Sequence, residues 1–253
     1  RRSSDLGDVV LSEKPERFGL YNINLHITSA AAGVRRAAEL GAQWVMKTRT
    51  DQRLYNERFL SFLIALSKQF PVQGDFQQKS RIVGIGHGTL KYAPYHVTDQ
   101  TVFGHVDDMV VYWDIPLRDF EPPSHWPKTL KEIHHGVPIG ELCRLGAAES
   151  HFASQFLMKV GRSLEWTLED TWAAYRDQFL FVDLSSTDFY WVKAQTHSLQ
   201  EIPLRYGVVS NRQEVDFRGW FLLYSGALPI EAARRYERAL ETKFESAFPI
   251  QDG

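Results

Sequence analysis

Residues 27–47 constrain the fold most. "ITSAAAGVRRAAELG" (27–41) reads as a helix: Thr28 or Ser29 can cap it, its Ala-rich body favours helix, and Gly41 stops it. "AQWVMKTR" (42–49) follows with almost no loop and opens as a buried strand. Before the helix, "DVVLSE" (8–13) reads as a short buried strand with polar ends. Strand, helix and strand at this spacing form a βαβ unit, which implies a parallel pair with a right-handed crossover.

The rest of the chain continues the α/β pattern. "NERFLSFLIALSKQF" (56–70) is an amphipathic helix with Asn56 as its cap and Pro71 beyond its end. "RIVGIG" (81–86) is a buried strand, and "HGTLKYAPYHVTDQTVFG" (87–104) is polar, aromatic and rich in turn residues. "HVDDMVVYWD" (105–114) fits either a helix or a strand, and "FEPPSHWP" (120–127) is a loop. From Gly146 the pattern turns helical, with apolar stripes over 147–161 and 167–179, a short strand at "LFVDL" (180–184) and a charged helix at 229–245. There is no internal repeat, low-complexity segment or long linker. The expectation is one α/β domain over 1–253, with parallel strands first and a more helical second half.

Composition narrows the function. The chain has 253 residues, is 43% hydrophobic and 24% charged, and has a formal net charge of −2, which argues against a general nucleic-acid binder. Its single cysteine, Cys143, excludes an internal disulfide framework and a Cys-based zinc cluster, and reads as a core residue. No apolar run is long enough to span a membrane, and no signal-peptide pattern opens the chain. The opening residues lack an initiator Met, as expected of a piece whose preceding residues were removed or belong to another domain.

The stretch that points to chemistry is "WVMKTRTDQRL" (44–54), where Lys47, Arg49, Asp51 and Arg53 occupy alternate positions. In an extended segment all four share one face. At the carboxyl end of a strand, three cations suit phosphate oxygens, and the carboxylate among them suits a bridging divalent ion or a sugar hydroxyl. The alternative is a solvated strand end with internal salt bridges. No G-x-x-x-x-G-K-S/T loop, G-x-G-x-x-G turn or G-x-S-x-G elbow is present, and "GIGHG" (84–88) is too generic to count. His134 and His135 are adjacent and unsuited to chelating one ion; His87, His96 and His105 show no chelating spacing.

With those residues in view, "NINLHITSAAAGVRRAAELGAQWVMKTRTDQRL" (22–54) resembles the hallmark segment of the WavE-type lipopolysaccharide-synthesis proteins. Asn22, Asn24, Ser29, Gly33, Lys47, Arg49, Thr50, Asp51 and Arg53 match its Asn-rich lead-in, its Ser before a Gly-containing helix, and its Lys-x-Arg-Ser/Thr-Asp-x-Arg strand end. "VTDQTVFGHVDDMVVYW" (97–113) and "AAESHFASQFL" (147–157) resemble the family's second and third blocks, so the likeness covers roughly the first 160 residues.

The resemblance implies a glycosyltransferase of GT-A-like fold, with a mostly parallel, Rossmann-like sheet flanked by helices. Residues 1–115 would form its donor-binding half and 116–253 a helical, acceptor-side half. It also implies a nucleotide-sugar donor, a lipopolysaccharide, capsule or other glycan or glycolipid acceptor, and work at the cytoplasmic face of the inner membrane with peripheral membrane contact. In that fold a D-x-D-like motif holds Mn²⁺ or Mg²⁺ on the donor diphosphate. Here the motif is Asp51-Gln52-Arg53, so Asp51 is the candidate metal ligand and Arg53 can neutralise the diphosphate itself. A GT-A domain also begins with a base-binding strand and turn that the residues before 8–13 are too few to hold: either the first strand is missing from this chain or the fold is arranged otherwise.

The donor-binding candidates are Asn24, Lys47, Arg49, Asp51, Arg53, Asp107 and Asp108. Glu149 is the first candidate for the base that deprotonates the acceptor, since a helix N-terminus favours its ionised form, and Asp99 is the second. Tyr92, Tyr95 and Trp113 can stack on a sugar or base, or simply pack. Two other classes stay open: a non-catalytic glycan- or nucleotide-binding scaffold, and a metal-dependent phosphoester hydrolase using Asp51 with Asp107 and Asp108.

Overall fold

The computed structural model describes residues 8–192, 208–210, 212–244 and 247–249. In chain order its elements are α1 (Ile23–Glu39), β1 (Trp44–Lys47), β2 (Gln52–Leu54), α2 (Phe59–Gln69), β3 (Ile82–Ile85), β4 (Thr101–His105) and α3 (Val106–Trp113). Then come α4 (Leu130–Gly136), α5 (Ile139–Leu145), α6 (Ala148–Lys159), α7 (Leu168–Gln178), β5 (Phe179–Val182), β6 (Phe189–Trp191), β7 (Val208–Ser210), α8 (Phe217–Tyr224) and β8 (Ala247–Pro249). A run of 3₁₀ turns covers Ile230–Glu241, where the sequence predicts a helix.

The strand expected at 8–13 does not form. Val9, Val10 and Leu11 are 70%, 41% and 90% exposed, and the segment is tied down by Asp8, which accepts from Arg36 Nε of α1 at 3.2 Å. The βαβ unit therefore lacks its first strand. The chain instead enters α1 through Gly19, Tyr21 and Asn22, all at positive φ (69°, 55° and 60°). A side chain on Gly19 would strike Ile23 Cγ2 at 2.7 Å, so this entry requires glycine. α1 starts earlier than its expected caps: Thr28 and Ser29 donate back to the carbonyls of Asn24 and Leu25 at 3.0 and 2.7 Å, inside the helix. Gly41, at φ 79°, ends it as expected.

The main sheet has the order β1-β4-β3-β5. β1 pairs antiparallel with β4 (Trp44 opposite His105, Lys47 opposite Val102), and β3 pairs antiparallel with β4 (Ile85 opposite Thr101). β3 and β5 are parallel, with Ile82 opposite Phe179 and Ile85 opposite Val182. The sheet is thus mixed, with one parallel pair among the described residues, where a mostly parallel sheet was expected. The reason lies in residues 86–100, which connect β3 to β4 without a helix. Parallel neighbours need a crossover, usually helical, so β4 returns antiparallel and separates β1 from β3. β2 and β6 form a separate antiparallel ribbon, as do β7 and β8.

Every residue of β3 and β5 is buried, so both faces of the sheet are covered. One apolar cluster runs from Ile23 in α1 to Ala239 near the C-terminus, around the fully buried Trp113, Trp172 and Trp220. Cys143 is buried in a smaller cluster with Leu90, Ala93 and Ile139. No helix among the described residues is long and apolar enough to cross a membrane.

Candidate functional site

Because β4 opposes β1, β3 and β5, those three strands point the same way. Their carboxyl ends share one rim of the sheet with the start of β4. Such rims are where α/β proteins place ligands. Lys47 closes β1 at this rim. Its Nζ donates to the backbone carbonyl of Asp99, just ahead of β4, and stands 5.4 Å from the Trp113 ring. Burial pushes the Lys47 ammonium below its ordinary pKa; Asp99, Glu149 and Asp51 oppose that shift, and Arg49 adds to it.

Beyond Lys47 the strand does not continue. The chain turns, with Gln52 N donating to Arg49 O at 3.1 Å, and leaves as β2. Arg49 grips both oxygens of Asp51 with Nε and Nη2 at 3.0 and 3.3 Å, and Trp191 Nε1 of β6 donates to Asp51 at 3.3 Å. That fork raises the Arg49 pKa and leaves Nη1 without a protein partner among the described residues. Arg53 is exposed on β2, with Nη1 donating to Thr50 O and Gln52 O at 2.9 and 2.6 Å. The expected row of four charges on one extended face is therefore not formed, because the turn at 49–52 breaks the two-residue period. An open groove of about 410 Å³, lined by Thr48, Arg49, Thr50, Gln52, Arg53, Leu54 and Phe59, runs along this turn.

The groove floor is fixed by a chain of polar contacts. Thr48 and Thr101 hydroxyls meet at 3.0 Å, Thr101 donates to Gln52 Oε1 at 3.1 Å, and Gln52 Nε2 donates to Gln100 Oε1 at 3.4 Å. Gln100 Oε1 also accepts from His87 N at 3.3 Å, across Gly86, whose φ of 129° and 2.7 Å clearance from Gln100 admit no side chain.

Behind Lys47 lie the two carboxylates that the sequence singled out. Asp99 Oδ2 accepts from His26 Nδ1 of α1 at 3.1 Å. Burial pushes the Asp99 carboxyl up, but the His26 bond and the charges of Lys47 and Arg49 outweigh it and hold it below the usual range. Glu149, in the first turn of α6, behaves oppositely. Burial raises its pKa, and nearby Asp99 adds to this against the pull of His96, so desolvation defeats the helix-terminus effect expected for it. Its Oε2 is 3.7 Å from His96 Nε2, and 32% of its side chain remains accessible, as for a group lining a recess.

His96 is oriented by Nδ1, which donates to Gly88 O at 2.6 Å. With Nδ1 so engaged, Nε2 is the ring nitrogen that faces the Glu149 carboxyl. Tyr21 is pushed up to about 12 by burial and by Glu149, and Tyr112 is raised by burial and by Asp99 and Glu149. Among the described residues neither hydroxyl has a protein partner.

The other candidates lie elsewhere. Asn24 is buried, and its amide is fully used by backbone: Nδ2 donates to Arg17 O and Arg118 O at 2.9 and 3.1 Å, and Oδ1 accepts from Arg118 N at 2.7 Å. It ties α1 to a distant loop and presents nothing to a donor. Asp107 and Asp108 follow His105, the residue opposite Trp44, and so lie at the far end of the sheet from Lys47. Asp107 pairs with the exposed Lys79, and Asp108 accepts the backbone N–H groups of Lys79 and Ser80. Among the rings, His134 packs on Phe244 at 4.1 Å, and Tyr92 and Tyr95 are buried in packing.

Asp51, the candidate ligand for Mn²⁺ or Mg²⁺, is spanned by Arg49, and among the described residues no three His, Cys, Asp or Glu side chains gather to hold a metal, so an ion here would take its remaining oxygens from the donor phosphates and water. His26, Tyr21 and Tyr112 are the site residues that sequence reasoning missed, and His96 enters there only among histidines without chelating spacing. Their only signal is spatial: His26 and Asp99 are far apart in the chain, and no motif spacing links them.

No protein-family model matches the chain, and no curated protein or solved structure matches it either.

Proposed function

We propose that the chain is a glycosyltransferase that moves a sugar from a nucleotide-sugar donor to a glycan or glycolipid acceptor of the bacterial surface, as its resemblance to the WavE-type proteins implies. One observation carries the reading: cations facing a groove and two carboxylates with oppositely shifted pKa values meet on one strand-end rim. Pairs of titratable groups driven apart in this way are how one site runs acid and base chemistry together.

In this reading the donor diphosphate lies in the groove at the β1–β2 turn. Arg49 Nη1 and the Lys47 ammonium stabilise the charge that develops on the leaving diphosphate. Arg49 is already braced by Asp51, so it meets the phosphate in a fixed orientation, and Asp51 acts by holding that arginine. The acceptor hydroxyl approaches from the recess of Asp99, Glu149 and their histidines, where its proton is taken. The work is peripheral to the cytoplasmic membrane, where such acceptors are assembled.

The test is transfer itself: labelled UDP-, GDP-, CMP- and TDP-sugars are incubated with a deep-rough lipopolysaccharide or capsule-precursor extract. Acceptor-dependent labelling that is lost in Lys47→Ala supports the transferase. Donor binding without turnover supports the scaffold, and phosphate-ester cleavage that needs added metal and no acceptor supports the hydrolase.

A further inference from the structure

His26 has no motif around it, yet it is placed as a base. Its Nδ1 bonds to Asp99 Oδ2 at 3.1 Å, which orients the ring and fixes the tautomer with the proton on Nδ1. Nε2 is then the free lone pair. It has no hydrogen-bond partner among the described residues, and 33% of the side chain is accessible, against 11% for Asp99. The ring is backed by Phe152 at 6.5 Å in a stacked arrangement, which leaves its edge as the reactive part. Asp99 is held on two sides, its carboxylate by His26 and its backbone carbonyl by Lys47, so it is poorly placed to reach a substrate itself. The charged groups facing this pair are Glu149 from α6, and Lys47 and Arg49 from β1 and the turn after it.

We infer that His26 Nε2 is the proton acceptor of the transfer step and that Asp99 is its positioning residue. The inference rests on the transferase reading above. In the step, Nε2 takes the proton of the acceptor hydroxyl as its oxygen bonds to the donor's anomeric carbon. The bond from that carbon to the diphosphate breaks, and its electron pair leaves on the diphosphate oxygen beside Lys47 and Arg49. The imidazolium so formed is stabilised by the Asp99 carboxylate, the arrangement used when a carboxylate orients a histidine base. The proton then passes to solvent through the accessible edge of the ring.

The experiment compares wild type, His26→Asn and Asp99→Asn for donor-induced thermal shift and for the pH profile of kcat/KM. An Asn amide at 26 can reproduce the Nδ1 bond to Asp99, so this variant should fold. His26→Asn should keep the donor-induced shift while kcat falls by about 100-fold or more, the usual contribution of a general base. Its acidic limb in kcat/KM should vanish. Asp99→Asn should move that limb to lower pH, because the imidazole loses the carboxylate that holds its proton. Transfer within about threefold of wild type in His26→Asn overturns the inference and leaves the transferase standing. A slower Asp99→Asn with the limb unmoved also overturns it, since a merely structural Asp99 predicts that result. A wild type with neither shift nor transfer overturns the transferase reading and the inference together.

Discussion

Asp108 offers a sharp test of how the acidic pair at 107 and 108 is used. Its side chain is buried at the start of α3. Oδ1 accepts from Lys79 N at 2.9 Å, and Oδ2 accepts from Ser80 N at 2.8 Å and Ser80 Oγ at 3.2 Å. Ser80 Oγ in turn accepts from His105 N at 3.0 Å, so one carboxylate locks the entry to β3 against the exit of β4. Asp108→Ala orphans two backbone N–H groups at about 1–3 kcal/mol each, for a total of about 2–6 kcal/mol. Asp108→Asn keeps one accepting oxygen and turns its NH₂ toward Lys79 N, so it should cost about 1–3 kcal/mol. Urea denaturation reads both, with the midpoint falling and the slope unchanged. At temperatures where the variants are folded, donor binding should match wild type. An Asp108→Ala variant within about 0.5 kcal/mol of wild type would refute the structural role, since that is the range of neutral surface changes. Lost donor binding in a fully folded Asp108→Asn would instead return the residue to the site.

Other predictions follow from the same contacts. Arg81 is fully buried and donates to Phe70 O, Pro71 O and Phe179 O at 2.9, 3.0 and 3.0 Å, with its pKa lowered to about 10 by burial; Arg81→Met should cost at least about 3 kcal/mol in a denaturant melt. Asp99 has a folded pKa below its unfolded one, so its contribution to stability is present above about pH 4 and is lost as pH falls through the folded value. The stability gap between wild type and Asp99→Asn should therefore close below about pH 4 in acid titrations. Gly86→Ala places a Cβ 2.7 Å from Gln100 Oε1 at a φ reserved for glycine, and should cost about 1–3 kcal/mol and weaken donor binding by disturbing the groove floor.

Local patterns in the sequence were legible where burial and punctuation agreed. The Ala-rich body of α1 with Gly41, the strand at Trp44, the run "RIVGIG" and the apolar "LFV" of β5 all stand where periodicity puts them. The segment 105–114 fits both a helix and a strand, and proves to be α3, capped by His105, whose Nδ1 accepts from Asp107 N at 3.3 Å. β4 was hidden because "TVFGH" is short, holds a glycine and adjoins a polar loop. Pairing was not legible at all, since no local signal reports that β4 would lie between β1 and β3. "DVVLSE" has strand composition but no neighbour to cover it, so its apolar side chains stay in water. Of the residues singled out in the sequence, Arg49, Asp99 and Glu149 lie around Lys47, whereas Asn24, Asp107 and Asp108 are drawn into backbone hydrogen bonds and surface pairing.

The central claim is that the β1–β2 turn receives a sugar-nucleotide diphosphate, and donor binding tests it most directly. A thermal-shift panel of UDP-, GDP-, CMP- and TDP-sugars, with and without Mn²⁺, is run on wild type, Lys47→Ala and Arg49→Ala. At about 100 times Kd a ligand adds about 2.7 kcal/mol, which is about 5–11 °C for a chain of this size. One nucleotide class should raise the wild-type midpoint by that amount, with no rise in either variant. A flat response to every donor, or an equal rise in wild type and both variants, would contradict it.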